Sequence, residues 1–272
     1  MILAGFALLA VGAADVLRQF LHGTGRWIGI AVAALLILVI GVLAGAVPAA
    51  LLGIGVGALW VWLMPGEGRA PLSFWPAVLL AVLAVSAVAL LPARSDAGVF
   101  GAGWRPSALV GDVSIDLTVL ALGVFAIMLE TGNVIVRAAL VGEHAVPAPA
   151  PVSTPDSTSV SAPAPDSTPA PDSTSAPTPD AASAPEDPDD SGVPFRGGRL
   201  IGPLERVLVL LLTLAGAYSL LAAMLAAKGI VRFPEISRDG DGGTRAEYFL
   251  VGSLVSWVVA LGGAFLLWWA AA

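Results

Sequence analysis

The stretch RWIGIAVAALLILVIGVLAGA, residues 26–46, carries a charge only on its first residue. Its length and content decide the class of fold. A helix rises about 1.5 Å per residue, so about 20 apolar residues cross the roughly 30 Å hydrocarbon core of a bilayer. In that solvent the backbone must satisfy its own hydrogen bonds, which favours helix. Runs of the same grade fill Met1 to about Arg137 and return after residue 197. The expected fold class is therefore all-α, a polytopic transmembrane bundle of about seven spans in a 5 + 2 arrangement.

The spans are read as Ile2–Leu21, Arg26–Ala46, Ala49–Met64, Phe74–Leu91, Val113–Val136, Leu204–Ala227 and Ala246–Trp269. Trp27 to Met64 leaves two options, a tight hairpin of two spans or one span plus a re-entrant piece. Gly202-Pro203 is read as the start of the sixth span, with Glu205 in its first turn at the positive end of the helix dipole. Asp112 and Asp116 take that role for the fifth. Trp60, Trp62, Trp75, Trp257, Trp268 and Trp269 fall near span ends, where an apolar ring with a wet N–H suits the interface. No basic segment precedes the first run, so it is read as a span and not as a secretory signal.

Between the two hydrophobic parts lies a tract of different chemistry. Pro147 to Pro188 is Pro, Ser, Thr, Ala and Asp, with Pro-Asp-Ser-Thr recurring at 155–158, 165–168 and 171–174. It offers almost no apolar area to offset the entropy of ordering it, and is predicted to be a disordered linker. The domain reading is 1–143, an N-terminal unit of five spans; 144–197, the linker; and 198–272, a two-span unit.

Composition agrees with a membrane chain. Mean hydropathy is +0.88, and charged residues are 12%, about half the share in soluble domains. The net charge of -7 is localised: Asp156, Asp166, Asp172, Asp180, Glu186, Asp187, Asp189 and Asp190 lie in or beside the tract. No basic footprint for nucleic acid remains. There is no cysteine, hence no disulfide or thiolate metal site, and there are two histidines. Phosphate-loop, zinc and nucleophile-elbow motifs are absent. No cofactor and no metal are implied, and no catalytic group is assigned. The partners expected are the lipid bilayer and other membrane proteins.

Ionisable residues inside a span are expensive and are functional candidates by default. Glu130, Asn133 and Arg137 lie at i, i+3 and i+7 and share a helix face. Glu130 is expected either to pair with a base that fixes packing, Arg137 or Arg206 by side, or to form a proton or cation site. Asp15, Arg18 and Gln19 end the first span at spacing that permits a local Asp–Arg pair. Alternation of spans gathers Asp15, Arg18, Gln19, Glu130, Asn133, Arg137, Arg199, Glu205 and Arg206 at one side. It puts Lys228, Arg232, Glu235, Arg238, Arg245, Glu247 and Tyr248 at the other. Gly41 and Gly45, then Gly53, Gly55 and Gly57, suggest close helix packing in the hairpin.

Three segments carry a resemblance: Gly198–Arg206, Ala226–Glu235 and Ala246–Leu254. Together they resemble the C-terminal region of an uncharacterised bacterial family of polytopic membrane proteins, a domain of unknown function. Thr131–Arg137 is similar to the motif just upstream in that family, and Ala14–Gln19 resembles its N-terminal element. The resemblance points to which residues matter and brings no activity with it.

Three function classes follow. The first is a non-enzymatic structural or interaction component of the envelope. The second is a small transporter or permease subunit using intramembrane charges. The third is an intramembrane enzyme. The expected site is the bacterial cytoplasmic membrane. Basic residues nearly balance between the two sides of the seven-span map. The first span breaks the tie: Arg18 and Arg26 follow it and none precedes it, so the N-terminus is expected outside and the C-terminus in the cytoplasm.

Overall fold

The computed structural model describes residues 1–64, 74–91, 94, 98–99, 113–143, 198–238 and 243–272. The tract at 144–197 and its predicted disorder lie outside this set, as does Asp112. Among the described residues the regular structure is helical throughout. The helices are α1 (Ile2–Phe20), α2 (Gly23–Leu43), α3 (Val47–Leu63), α4 (Trp75–Leu90), α5 (Ile115–Ala126), α6 (Gly132–Glu143), α7 (Gly198–Leu214), α8 (Tyr218–Arg238) and α9 (Gly243–Ala271). A five-residue π turn, Ile127–Thr131, joins α5 to α6 in one rod.

Among the described residues four helices are long and apolar enough to cross a membrane: Ile2–Phe20, Gly23–Leu43, Ile115–Leu140 and Leu250–Ala271. Val47–Leu63, Trp75–Leu90 and Tyr218–Ile230 are shorter apolar helices. Residues 1–146 and 197–272 form one compact unit.

Contacts fix the helix directions. Gly5 lies against Val119 and Leu120, and Gly12 against Ala126, so α1 and α5 run the same way. Gly53 lies against Phe6 and Gly57 against Ala10, so α3 runs with them. The Met1 ammonium donates to the carbonyl of Leu91 at 2.6 Å, which puts the end of α4 beside the start of α1. Gly202 faces Asn133, while Gly263 faces Val124 and Met128, so α7 and α9 oppose the α5–α6 rod. Call the end that holds Met1 the near end. Then α1, α3 and α5–α6 run from the near end to the far end, and α2, α4, α7 and α9 run back.

α1 is the hub. It packs on α2, α3, α4, α5 and the π turn, and Phe6, Ala4 and Val11 are fully buried. α2 is the opposite case, with Leu35, Leu36 and Val39 outward. In water such a face would be a liability, but in hydrocarbon it is ordinary.

Trp27 to Met64 is a hairpin of two helices. Its turn is a Schellman cap: the Ala46 N–H donates to the Gly41 carbonyl at 2.7 Å and the Gly45 N–H to Val42 at 3.0 Å. Gly45 takes φ 63°, where a Cβ would be strained.

The single span expected over Leu204–Ala227 is instead two helices, α7 and α8. The same cap ends α7, with Gly216 at φ 68° and Ala217 N–H on the Leu212 carbonyl at 2.9 Å. α8 therefore doubles back toward the far end. Nor does Pro203 open its helix as expected: α7 starts at Gly198, so Pro203 stands inside it and Glu205 falls in the second turn.

Candidate functional site: buried ion pairs at the far end

The π turn builds the main cluster. A π turn fits one extra residue into a helix and leaves its carbonyls badly placed for the usual i→i+4 bonds. Arg206 of α7, 2% exposed, covers them. Its Nε donates to the Met128 carbonyl at 2.9 Å, and its Nη2 to Leu129 at 3.2 Å and to Asn133 Oδ1 at 2.7 Å. The guanidinium lies flat on Gly132, where an added Cβ would sit 2.6 Å from Cζ. A glycine at that position is what lets a cation reach the backbone.

Glu130 sits on the same turn, 9% exposed. It accepts from Asn133 Nδ2 at 3.2 Å, and Arg137 Nη2 lies 3.8 Å from Oε1. Asn133 links the carboxylate to Arg206, since its amide N–H faces one and its carbonyl the other. Both bases named from sequence thus belong to one network with Glu130. Arg137 is the looser member, with a side chain 56% exposed.

Thr131 is fully buried, and its hydroxyl has no hydrogen-bond partner among the described residues. Thr118 and Thr213 bond the carbonyl four residues back, at 3.1 and 2.7 Å. The wider π turn takes Thr131 out of that register.

Glu205 neighbours Arg206 in sequence but faces another way. Lys228 Nζ lies 2.6 Å from its Oε1, and Trp257 Nε1 donates to the same oxygen at 3.1 Å. Lys228 also stands 5.6 Å from the centre of the Trp257 ring. The alternation of seven spans puts Glu205 and Lys228 on opposite sides. That expectation is overturned by the turn at Gly216, which folds α8 back against α7.

Two further clusters complete the set. Asp15, 2% exposed, pairs with Arg18 and accepts from Trp60 Nε1 at 3.0 Å. Arg18 also donates to the Met64 carbonyl at 2.6 Å, tying α1 to the end of α3. Gln19 is half-buried and makes none of these bonds. At the near end Arg94 pairs with Asp116 at 2.9 Å and donates to the Ala44 and Gly45 carbonyls at 3.1 Å. Asp116 thus serves a long-range pair as well as its helix dipole.

The aromatic reading changes with this geometry. Trp62, Trp75 and Trp268 are exposed, as interfacial residues are, but Trp60 is 3% exposed and serves Asp15. Trp257 likewise turns to Glu205. Sequence reasoning missed both bonds, because nothing in the spacing of Trp60 and Asp15 links them. Arg232 and Glu247 lie on α8 and α9, but their side chains fall outside the description, as do those of Arg199, Glu235, Arg238, Arg245 and Tyr248.

Chemically, each of these carboxylates has a base beside it, and each cluster joins two elements or caps a turn. Among the described residues no group of three or more metal-ligating side chains occurs. Comparison of the chain with family models, curated proteins and solved structures finds no match.

Proposed function

We propose that this is a multi-pass protein of the bacterial cytoplasmic membrane, acting as a non-enzymatic structural or interaction component. The observation that carries the reading is the state of Glu130. A carboxylate that moves ions needs water and freedom to change partners. Glu130 is instead held by Asn133 and Arg137 on its own helix, with Arg206 one bond further on. Neither of two apolar cavities among the described residues, of about 430 and 400 Å³, is lined by Glu130, although the second takes in Ile127 and Met128 of its turn. The test is proton flux into proteoliposomes loaded with a pH-sensitive dye, under an imposed membrane potential. The expected result is flux no greater than in empty vesicles. Flux abolished by Glu130→Gln would instead make the protein a permease subunit. The same reading takes Gly198 to Leu254 as the counterpart of the uncharacterised family's C-terminal region, with residues 144–197 as the disordered linker that precedes it.

On this reading the helices make eight passages, with α5–α6 counted once. α3, at 17 residues, is roughly 26 Å long and still close to the hydrocarbon thickness. An even count puts Met1 and Ala272 on one side. It also moves Lys228, Arg232, Arg238 and Arg245 to the far end. Of thirteen basic residues, only Arg94 and Arg105 then belong to near-end segments. An excess of that size at the far end makes it the cytoplasmic side. The N-terminus stays outside, as the first span alone suggests, but the C-terminus joins it there. Green fluorescent protein fused at Ser173 or Gly240 is expected to fluoresce, and alkaline phosphatase fused after Ala272 to be active. Fluorescence from a fusion after Ala272 would restore an odd number of passages.

A further inference from the structure

The α2–α3 hairpin is closed at one end and open at the other. Near its turn, Gly41 lets α2 touch Ala50 of α3 directly. α3 also stays close to α1 along its length, through Gly53 on Phe6 and Gly57 on Ala10. Toward the far end the space between α2 and α3 is lined by Ile30, Ala33 and Ala34 on one side and Ile54, Gly57 and Ala58 on the other, and the small side chains at four of these six positions leave it unfilled. The result is a crevice of about 430 Å³ with an almost wholly apolar lining.

Protein interiors leave few voids larger than a water molecule. A void lined by Ala, Gly, Ile and Trp offers water no partners. α2 otherwise faces lipid on the proposed membrane reading, so the material at hand to fill the gap is hydrocarbon. The rim adds a second requirement. Trp27 and Trp62 line the far-end half of the crevice, 57% and 76% exposed. The Arg26 guanidinium stands 5.3 Å from the centre of the Trp27 ring. Asp15 is the sole acid in residues 1–64, and Arg18 takes it. Arg26 therefore meets the rim with no carboxylate from these three helices. Basic pockets between membrane helices bind anionic head groups.

We propose that this crevice holds one acyl chain of an anionic phospholipid, with its phosphate on Arg26. The lipid would act as a wedge that keeps α2 at its angle to α1 and α3. On the proposed orientation the far end meets the cytoplasmic leaflet, whose surface is anionic.

The probes are phosphatidylglycerol and phosphatidylcholine with identical chains, added to the full-length protein in mild detergent and read by native mass spectrometry. The wild type is expected to retain a single phosphatidylglycerol over phosphatidylcholine by about fivefold, the effect of one basic residue near a lipid surface. Arg26→Gln is expected to abolish the preference while still holding either lipid. Ala34→Leu, which fills the crevice without touching the rim, is expected to lose both. Equal retention of the two lipids by the wild type would overturn the head-group assignment. Unchanged retention in Ala34→Leu would overturn the crevice. If Ala34→Leu fails to fold, Ala58→Leu on the opposite wall gives the same reading, and Arg26→Gln tests the rim on its own.

Discussion

Arg206→Met is expected to destabilise the protein by about 3–5 kcal/mol, the range for breaking a buried ionic network by removing one partner. Methionine replaces the aliphatic stem but not the guanidinium that lies against Gly132. The loss comes from what stays behind. The Met128 and Leu129 carbonyls lose their donor in a turn whose own N–H groups are displaced, and Asn133 loses the partner of its carbonyl. Each charge-assisted bond contributes roughly 1.5–3 kcal/mol. Arg206→Lys keeps the charge but not the fork that reaches three oxygens at once, and falls between. Glu130→Ala is expected to cost less than Arg206→Met and more than Glu130→Gln, which can still accept from Asn133. Thermal unfolding in detergent ranks the four variants. An Arg206→Met protein as stable as the wild type would remove Arg206 from the framework.

The second large effect belongs to the α1–α5 seam. A Cβ on Gly123 would lie 2.6 Å from the Gly5 carbonyl oxygen, and one on Gly5 would lie 2.7 Å from the Leu120 nitrogen. Both obstacles are backbone, so neither can rotate away. Gly123→Ala or Gly5→Ala forces two central helices apart and is expected to cost about 1–3 kcal/mol. The double variant should cost less than the sum, because one separation accommodates both methyls. Gly55→Ala is the control. Nothing lies within 4 Å of the added carbon, and alanine is the better helix former by up to about 1 kcal/mol. It should leave the unfolding temperature unchanged or raise it. Equal losses at Gly55 and Gly123 would show that the seam is not what limits stability.

What was legible in the sequence tracks the physics that fixed it. Hydropathy marks where a helix lies in hydrocarbon, so α1, α2 and the α5–α6 rod could be read directly. Helical spacing put Glu130, Asn133 and Arg137 on one face, and i,i+3 spacing paired Asp15 with Arg18. The break at Gly216 was hidden because Leu214 to Tyr218 contains no charged residue and no proline. A Schellman cap satisfies its carbonyls from its own backbone, so the turn needs no polar residue to announce it. That one hidden turn then reversed the side of Lys228 and every basic residue after it. The π turn leaves no signal in residue spacing. Long-range bonds such as Trp60 to Asp15, or Arg94 to the Ala44 carbonyl, depend on which helices become neighbours, and composition does not carry that information.

The two halves of the Arg206 network are made at different times. Residues 144–197 separate the π turn from α7, and synthesis at about 5–20 residues per second takes roughly 3–10 s to pass them. Throughout that interval the residues of α5–α6 have been made while Arg206 is still to come. Glu130 is not left bare, because Asn133 and Arg137 emerge on its own helix within two turns. The Met128 and Leu129 carbonyls have no such local help. The bonds that cap the π turn can therefore form only once α7 has been made.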